Sequence, residues 1–120
     1  SSVDVDNVAI GAQAAERLLE AGHASFVFVG PGPRVASSAE RERAFRARLV
    51  QADVHPSRIA SVYAGYSAAD AEGAVDAILD SRATASLCWN DDTARGVANA
   101  LLSRGVRVPE EFSVIGVDDH

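Results

Sequence analysis

Apolar residues along this chain follow two alternating spacings. Four short continuous runs, rich in Val, Ile and aromatic side chains, predict β-strands at residues 26–29, 59–63, 85–89 and 112–117. A still shorter run at residues 2–5 fits a further strand or the remnant of one. Short strands made almost wholly of apolar residues are typical of a sheet that is buried on both faces.

Helical spacing fills the stretches between those runs. Apolar side chains recur there every three to four residues, which predicts helices that each turn one face to a core. The stripes are Ile10, Ala14 and Leu18; Arg41, Phe45 and Leu49; Ala71, Val75, Ile78 and Leu79; and Ala94, Val97, Ala98, Leu101 and Leu102. The predicted N-caps are Asp6 or Asn7, Ser38, Ser67 and Asp91. Alternating strands and helices predict an α/β fold, a three-layer sandwich in which helices cover both faces of a parallel sheet.

Composition and charge narrow the class of protein. A length of 120 residues fits one domain, and no apolar run approaches the ~18 residues of a membrane span. The formal net charge of −6 argues against contact with nucleic acid, which depends on Lys and Arg that neutralise phosphates. Cys88 is the only cysteine, which excludes an internal disulfide and is compatible with the cytoplasm. The chain begins almost directly on a predicted helix and ends just after a predicted strand, so we expect residues 1–120 to be a single lobe of a larger protein.

Polar and aromatic residues just beyond the predicted strands are candidates for a binding site. In an open parallel sheet, ligands bind outside the carboxyl ends of the strands. Arg41 lies early in the helix after the first strand, and the remaining candidates lie just beyond the later strands: Tyr66, Trp89, Asn90, Asp91, Asp118 and Asp119. Carboxylates, an amide and a guanidinium supply donors and acceptors, and aromatic faces stack on C–H surfaces. This combination favours a neutral polyol such as a sugar.

Several of these residues also have a purely structural interpretation. Asp91 is about equally well explained as an N-cap, Trp89 as part of the core, and the acidic pair at residues 118–119 as a turn. His23 follows a glycine and fits a turn or cap better than a ligand-binding role.

Motifs for catalysis are missing from the sequence. It contains no G-x-S-x-G, P-loop or G-x-G-x-x-G, and its three histidines lack metal-ligand spacing. The acidic pairs at residues 91–92 and 118–119 are compatible with Mg²⁺, but binding of a neutral ligand explains them equally well. We therefore expect a binding module with no catalytic residue, no cofactor and no metal.

Five blocks of the sequence carry a family resemblance. Residues 105–119, GVRVPEEFSVIGVDD, resemble G-L-x-V-P-E-D-hydrophobic-S-V-x-G-aromatic-D-D, and residues 90–96 resemble N-D-x-x-A-x-G. Residues 38–45 are similar to S-x-x-R-x-x-G-F, residues 18–23 match L-L-x-x-G-H, and residues 6–11 resemble a D-N…G opening. In this order and spacing, the blocks resemble the C-terminal effector-binding lobe of the LacI/GalR family of bacterial transcription regulators.

This resemblance implies a lobe like those of the periplasmic sugar-binding proteins, with the effector in a cleft between two α/β lobes. The residues that it implies for effector contact are Arg41, Tyr66, Trp89, Asn90, Asp118 and Asp119. By family position, Arg41 would grip polar groups and Tyr66 would stack on the ligand, whereas Asp91 would cap its helix.

The implied partners are a small-molecule effector and a second copy of the chain. Sugars are the commonest effectors expected, and purine or nucleoside sensors share the architecture. Effector binding would shift an equilibrium between lobe arrangements and so alter the spacing of two N-terminal helix-turn-helix heads on operator DNA. Those heads are not part of this sequence, so we expect this chain alone to bind neither DNA nor a membrane.

Departures from the motifs leave the effector and the dimer geometry open. Ala44 replaces a glycine, Gly65 an aspartate and Val117 an aromatic residue, and Asp92 and Arg95 replace apolar residues. A periplasmic sugar-binding protein of the same fold would need a signal peptide in the full gene. A small α/β enzyme acting on a sugar phosphate would need a catalytic pair, and the sequence offers no convincing one. A purely structural oligomerisation domain would not need polar and aromatic strand ends.

Overall fold

The computed structural model describes residues 5–118. Four strands within them form one sheet that is parallel throughout. The strands, in the spatial order β2-β1-β3-β4, are β1 (Phe26–Gly30), β2 (Ile59–Tyr63), β3 (Ala85–Cys88) and β4 (Ser113–Ile115). Phe26 pairs with Ile59 on one side and Ala85 on the other, and Ala85 pairs with Ser113. The predicted parallel sheet is confirmed. The run at residues 2–5 lies outside the described residues except for Val5, which belongs to no strand.

Within residues 5–118, five α-helices accompany the strands. They are α1 (Asn7–Glu20), α2 (Ala36–Gln51), α3 (Ala68–Gly73), α4 (Val75–Asp80) and α5 (Asp91–Ser103), and a short 3-10 helix (Pro56–Arg58) precedes β2. The stripe predicted for residues 71–79 is divided between α3 and α4. The division falls at Ala74, whose N–H bonds back to the carbonyls of Ala71 and Glu72 and so tightens the turn. In the residues described, no helix is long and apolar enough to cross a bilayer.

Helices cover both faces of the sheet, as predicted. Val27 and Val29 of β1 pack in a core with α3, α4 and α5, whereas Phe26 and Phe28 pack in a second core with α1 and α2. Successive strand residues point to opposite faces, so one buried strand supplies both cores. In the second core, the ring of Phe45 meets Phe26 edge-on, with ring centroids 6.3 Å apart. The three-layer α/β fold is therefore confirmed.

The buried face of α5 is rotated relative to the predicted stripe, of which only Val97 and Leu101 are buried. Its buried residues are Thr93, Gly96, Val97, Ala100 and Leu101. Leu102, which we predicted to be in the core, is 54% exposed. The close approach of α3 sets this rotation, because a Cβ on Gly96 would lie 2.9 Å from the Cβ of Ala71 and would overlap the backbone of Ala68. Small residues decided the contact face, and the hydrophobic pattern does not register them.

Two of the four predicted N-caps are confirmed. The side chain of Asp6 caps α1, and Ser67 begins α3 with a reciprocal capping box. Ser38 is not a cap, because α2 begins two residues earlier and encloses it. The prediction for Asp91 is also wrong: Asn90 caps α5, because its backbone is extended (φ −150°, ψ 173°) and its side chain accepts from the first turn. Asn and Asp are equally good caps, so adjacent candidates cannot be told apart by residue type.

Candidate functional site

A very close helix crossing sets the position of Arg41. Gly11 of α1 lies against α2 so tightly that a Cβ there would overlap the carbonyl oxygen of Arg41 and lie 2.9 Å from the Cβ of Ala44. Further along the same pair of helices, Arg48 forms an ion pair with Glu16 at 3.2 Å. The backbone of Arg41 is thus held directly against the first turns of α1. Those turns lie at the carboxyl edge of the sheet, because Asn7 of α1 bonds to Arg41, and Arg41 bonds to the carbonyl of Trp89 just beyond β3.

The guanidinium of Arg41 is buried at that edge, with only 2% of the residue exposed. Its Nε donates to Oδ1 of Asn7 at 3.0 Å, and its Nη1 donates to the carbonyl oxygen of Trp89. A buried cation requires such acceptors, since each unpaired N–H would carry a desolvation penalty. Arg41 therefore joins α1, α2 and the end of β3, at the place where ligands bind in parallel sheets.

The two predicted aromatic residues form a wall beside this arginine. The rings of Tyr66 and Trp89 meet edge to face, with centroids 6.4 Å apart and an interplanar angle of 73°. The indole N–H of Trp89 donates to Oγ1 of Thr93 at 3.1 Å, which fixes its ring against α5. Trp89 also packs against the core on the α1 and α2 face, so its structural interpretation is correct in part. Tyr66 is 64% exposed and presents its ring to the outside.

Asn90 follows Trp89 and occupies the cap of α5. Its Oδ1 accepts from the backbone N–H of Thr93 at 2.9 Å. An amide carries both an acceptor oxygen and an NH₂ donor, and the cap uses only the oxygen. The cap of α5 therefore engages the oxygen of Asn90 and not its Nδ2.

The segment after β4 brings Asp118 to the same edge. The backbone N–H of Asp91 donates to the carbonyl of Val117 at 2.9 Å, so this segment lies beside the start of α5. Gly116 is necessary for that approach, because a Cβ would lie 2.8 Å from the Cβ of Ala94. Asp119, also predicted as a site residue, lies outside the described residues.

A cavity of about 220 Å³ runs beneath α1 next to Asp118. It is lined by Ile10, Gln13, Ala14, Arg17, Leu87, Ile115, Gly116, Val117 and Asp118. Its volume is below the roughly 300–1,000 Å³ of pockets that enclose a small ligand. Of the described site residues that we predicted, Asp118 lines the cavity, whereas Arg41, Tyr66, Trp89 and Asn90 lie outside its lining. The candidate site is therefore an open edge with a neighbouring groove, not an enclosed pocket.

Two residues at this edge were missed by sequence reasoning. Asn7 was considered only as a cap and as part of a motif, although it is a partner of Arg41. Its position gave a usable signal, because the N-terminus of a helix that precedes a parallel strand lies at the carboxyl edge. Ser38, one turn before Arg41, is 1% exposed, and its hydroxyl has no hydrogen-bond partner among the described residues. No sequence signal distinguishes that hydroxyl from an ordinary first-turn serine.

Groups elsewhere in the fold are held in structural roles. Complete burial raises the pKa of the Cys88 thiol to about 12, which keeps it protonated and unreactive at neutral pH. His23 joins the amino ends of two strands through Thr84 at 2.7 Å and Ser113 at 3.1 Å, at the edge opposite the candidate site. Across residues 5–118, no three His, Cys, Asp or Glu side chains are grouped so that they could share a metal ion.

Comparison with known proteins identifies relatives along nearly the whole chain. Residues 15–120 match the family described as periplasmic binding protein-like domain. The chain is 31% identical to the probable HTH-type transcriptional repressor ExuR of Bacillus subtilis, over 89% of this chain and 33% of that protein. It is 32% identical to the HTH-type transcriptional regulator AscG of Escherichia coli, over 98% of this chain and 36% of that protein. The chain thus spans about a third of the length of the curated relatives that it matches.

Solved structures of the same kind superpose closely on this fold. A LacI family transcriptional regulator from Enterococcus faecium, with bound ribose, aligns with a TM-score of 0.88 at 26% identity, over 95% of this chain and 42% of that chain. The Escherichia coli transcriptional repressor ascG aligns with a TM-score of 0.85 at 32% identity, over 98% of this chain and 44% of that chain. The matched relatives named here are transcriptional regulators.

Proposed function

Because this chain belongs to the periplasmic binding protein-like domain family, we propose that it is the effector-sensing lobe of a LacI-type transcriptional regulator and not an enzyme. The observation that carries the proposal is the buried guanidinium of Arg41, held by Asn7 and by the carbonyl of Trp89 at the carboxyl edge of the sheet. Burial of an arginine is unfavourable unless it is well paired. Its place at the ligand-binding edge supports a role in recognition.

The chemistry of the edge favours a sugar or related polyol as effector. Arg41 and the Nδ2 of Asn90 supply donors, and the carboxylate of Asp118 supplies acceptors. A hydroxyl group both donates and accepts, so one sugar hydroxyl can bridge a donor and a carboxylate. Tyr66 and Trp89 offer ring surfaces for the C–H face of a pyranose or furanose. Asp119 is proposed for the same set of contacts.

A purine or nucleoside is the second candidate class. The pair formed by Tyr66 and Trp89 also suits a planar base, because aromatic rings stack or meet edge to face with one another. The two classes place different demands on Asp118, since a polyol offers hydroxyl donors whereas a base offers N–H groups at a few fixed positions.

In this proposal the full-length protein acts by allostery in the cytoplasm. An effector that binds one arrangement of two lobes better than another shifts their equilibrium by its difference in affinity. A DNA-binding domain on another part of the protein then engages or releases operator DNA as a dimer. The relatives' names as HTH-type transcriptional regulators support this division of labour.

A ligand screen tests the proposal on the full-length protein. Sugars, sugar phosphates, nucleosides and purines are added in a thermal-shift assay, because a ligand that binds the folded state raises its melting temperature. Trp89 is the only tryptophan of this chain, so the tryptophan fluorescence of this lobe comes from the candidate site. We expect a hit that Arg41→Gln and Asp118→Ala each abolish.

Arg43→Ala is the matched control, since Arg43 is exposed on the same helix as Arg41. The Arg43→Ala protein should bind the hit as tightly as the unaltered protein does. A hit that is indifferent to Arg41→Gln, or no hit in any class, contradicts the assignment of this edge as a sugar or purine site.

A further inference from the structure

We propose that Asn7 is a positioning residue that sets the orientation of the Arg41 guanidinium for effector binding, an inference that rests on the proposed function. Asn7 is the first residue of α1, and its amide is the acceptor for Nε of Arg41 at 3.0 Å. The two residues are 34 positions apart, so this contact exists only in the folded lobe.

A second hydrogen bond fixes which way the amide faces. Nδ2 of Asn7 donates to Oε1 of Glu40 at 2.9 Å. In the flipped orientation, the amide oxygen would face the Glu40 carboxylate and the NH₂ group would face the Nε–H of Arg41, so both contacts would be repulsive. Glu40 thus ensures that Asn7 presents an oxygen, and not an NH₂ group, to the arginine.

The amide is not required by its own helix. Asp6 is the N-cap of α1, and its Oδ1 accepts from the backbone N–H of Ala9 at 2.9 Å. With the cap supplied by the neighbouring residue, the side chain of Asn7 is left to join α1 to α2. Both of its hydrogen bonds run to consecutive residues of α2, Glu40 and Arg41.

Orientation is important because the guanidinium is planar and its five N–H groups have fixed directions. Asn7 takes Nε and the carbonyl of Trp89 takes Nη1, so two acceptors from different elements define the plane. Removal of the Asn7 oxygen leaves the buried, charged Nε–H without that acceptor and widens the range of orientations open to the group. An effector would then have to restore the orientation as it binds, which weakens its affinity.

The test measures effector affinity and arginine dynamics separately in the full-length protein. The variants are Asn7→Ala; Asn7→Asp combined with Glu40→Gln, which keeps the acceptor oxygen for Arg41 and gives the second oxygen a donor; and Asn99→Ala, an exposed asparagine on α5, as the matched control. Affinity is measured with D-ribose, or with the compound that gives the largest shift in the screen above. The exchange of the Arg41 Nε hydrogen with water is measured by NMR without any ligand, with the signal assigned through Arg41→Gln.

We expect Asn7→Ala to bind the probe roughly tenfold more weakly and to exchange the Arg41 Nε hydrogen faster. Asn7→Asp combined with Glu40→Gln should preserve both properties, and Asn99→Ala should change neither. Unaltered exchange in Asn7→Ala overturns the positioning role, and faster exchange with unaltered affinity overturns its link to recognition. If no compound binds the unaltered protein, the proposed function fails, whereas the exchange measurement still decides whether Asn7 orients Arg41.

Discussion

Gly11→Ala is the substitution for which two physical effects make opposite predictions. Alanine is the best helix former, and replacing a glycine inside a helix normally stabilises it by about 1 kcal/mol. Gly11, however, lies in the crossing of α1 with α2, where a Cβ would be 2.9 Å from the Cβ of Ala44 and from the backbone nitrogen of Phe45. Carbon atoms in contact are normally about 3.5–4.0 Å apart.

The packing cost should exceed the gain in helix propensity. Because the new methyl group meets mainly backbone atoms of α2, rotation of a side chain cannot relieve the overlap and the helices must separate. Overpacking of this kind costs typically about 1–3 kcal/mol, and we expect the upper end because the backbone is involved. Subtraction of about 1 kcal/mol for propensity leaves a net loss of about 2 kcal/mol in the free energy of unfolding.

Gly73→Ala is the matched control. Gly73 is the last residue of α3, and a Cβ added to it would have no atom within 4 Å. It should therefore show the propensity gain of up to about 1 kcal/mol without the packing cost. The two variants should differ by about 2–3 kcal/mol, or by about 1–1.5 M in urea midpoint at an m-value of about 2 kcal/mol/M.

Urea unfolding followed by the fluorescence of Trp89 measures the difference. Since the carbonyl of Arg41 is among the atoms that must move, Gly11→Ala should also weaken effector binding, whereas Gly73→Ala should not. A Gly11→Ala protein that is as stable as Gly73→Ala would refute the argument, because it would mean that the helix crossing is loose enough to admit a methyl group.

Further predictions concern single side chains. Asn90→Asp keeps an acceptor for the α5 cap but removes the NH₂ donor, so it should retain stability and lose effector affinity. Asn90→Ala should lose effector affinity and also about 1 kcal/mol of stability. Thermal unfolding measures the change in stability, and ligand titration measures the change in affinity. Ser38→Ala removes a buried hydroxyl that has no partner among the described residues, so it should stabilise the ligand-free protein by about 1 kcal/mol, and a loss of stability would show that the hydroxyl is satisfied. Burial lowers the pKa of His23 below its usual value. The neutral imidazole therefore stabilises the fold fully above pH ~6.5, and this stabilisation is lost as the pH falls through the lowered pKa. The fall in melting temperature below that pH should be smaller in His23→Gln. Cys88 should react with a thiol reagent only at the rate of unfolding, because its pKa of about 12 and its burial suppress the thiolate; fast labelling of the native protein would contradict this.

The sheet could be predicted from sequence because its strands are buried on both faces. Continuous apolar runs such as Phe26–Gly30 have no exposed alternative. Strand ends were less predictable, since tertiary contacts decide them. The third strand ends before Trp89 because the carbonyl of that residue turns to Arg41. The fourth ends at Ile115, after which the chain turns towards the start of α5.

The candidate site was predictable to the extent that its residues follow strands. Trp89, Asn90 and Asp118 were found by that rule, and Arg41 by its motif and its place early in α2. Contacts between distant segments were not predictable, which is why the hydrogen bond between Asn7 and Arg41 was not foreseen. The cap of α5 is Asn90 and not Asp91 because the backbone of Asn90 is extended. No residue preference predicts that backbone conformation.

The hydrogen bond from Arg41 to residue 89 has a consequence for how such a site can change. Its acceptor is a main-chain carbonyl, which every amino acid at that position would supply. The aromatic side chain at 89, and Tyr66 beside it, can therefore be exchanged without loosening the arginine. In the proposed sensor, specificity for one ligand can change while the polar anchor is kept, and a library randomised at positions 66 and 89 is the direct route to a sensor for a different molecule.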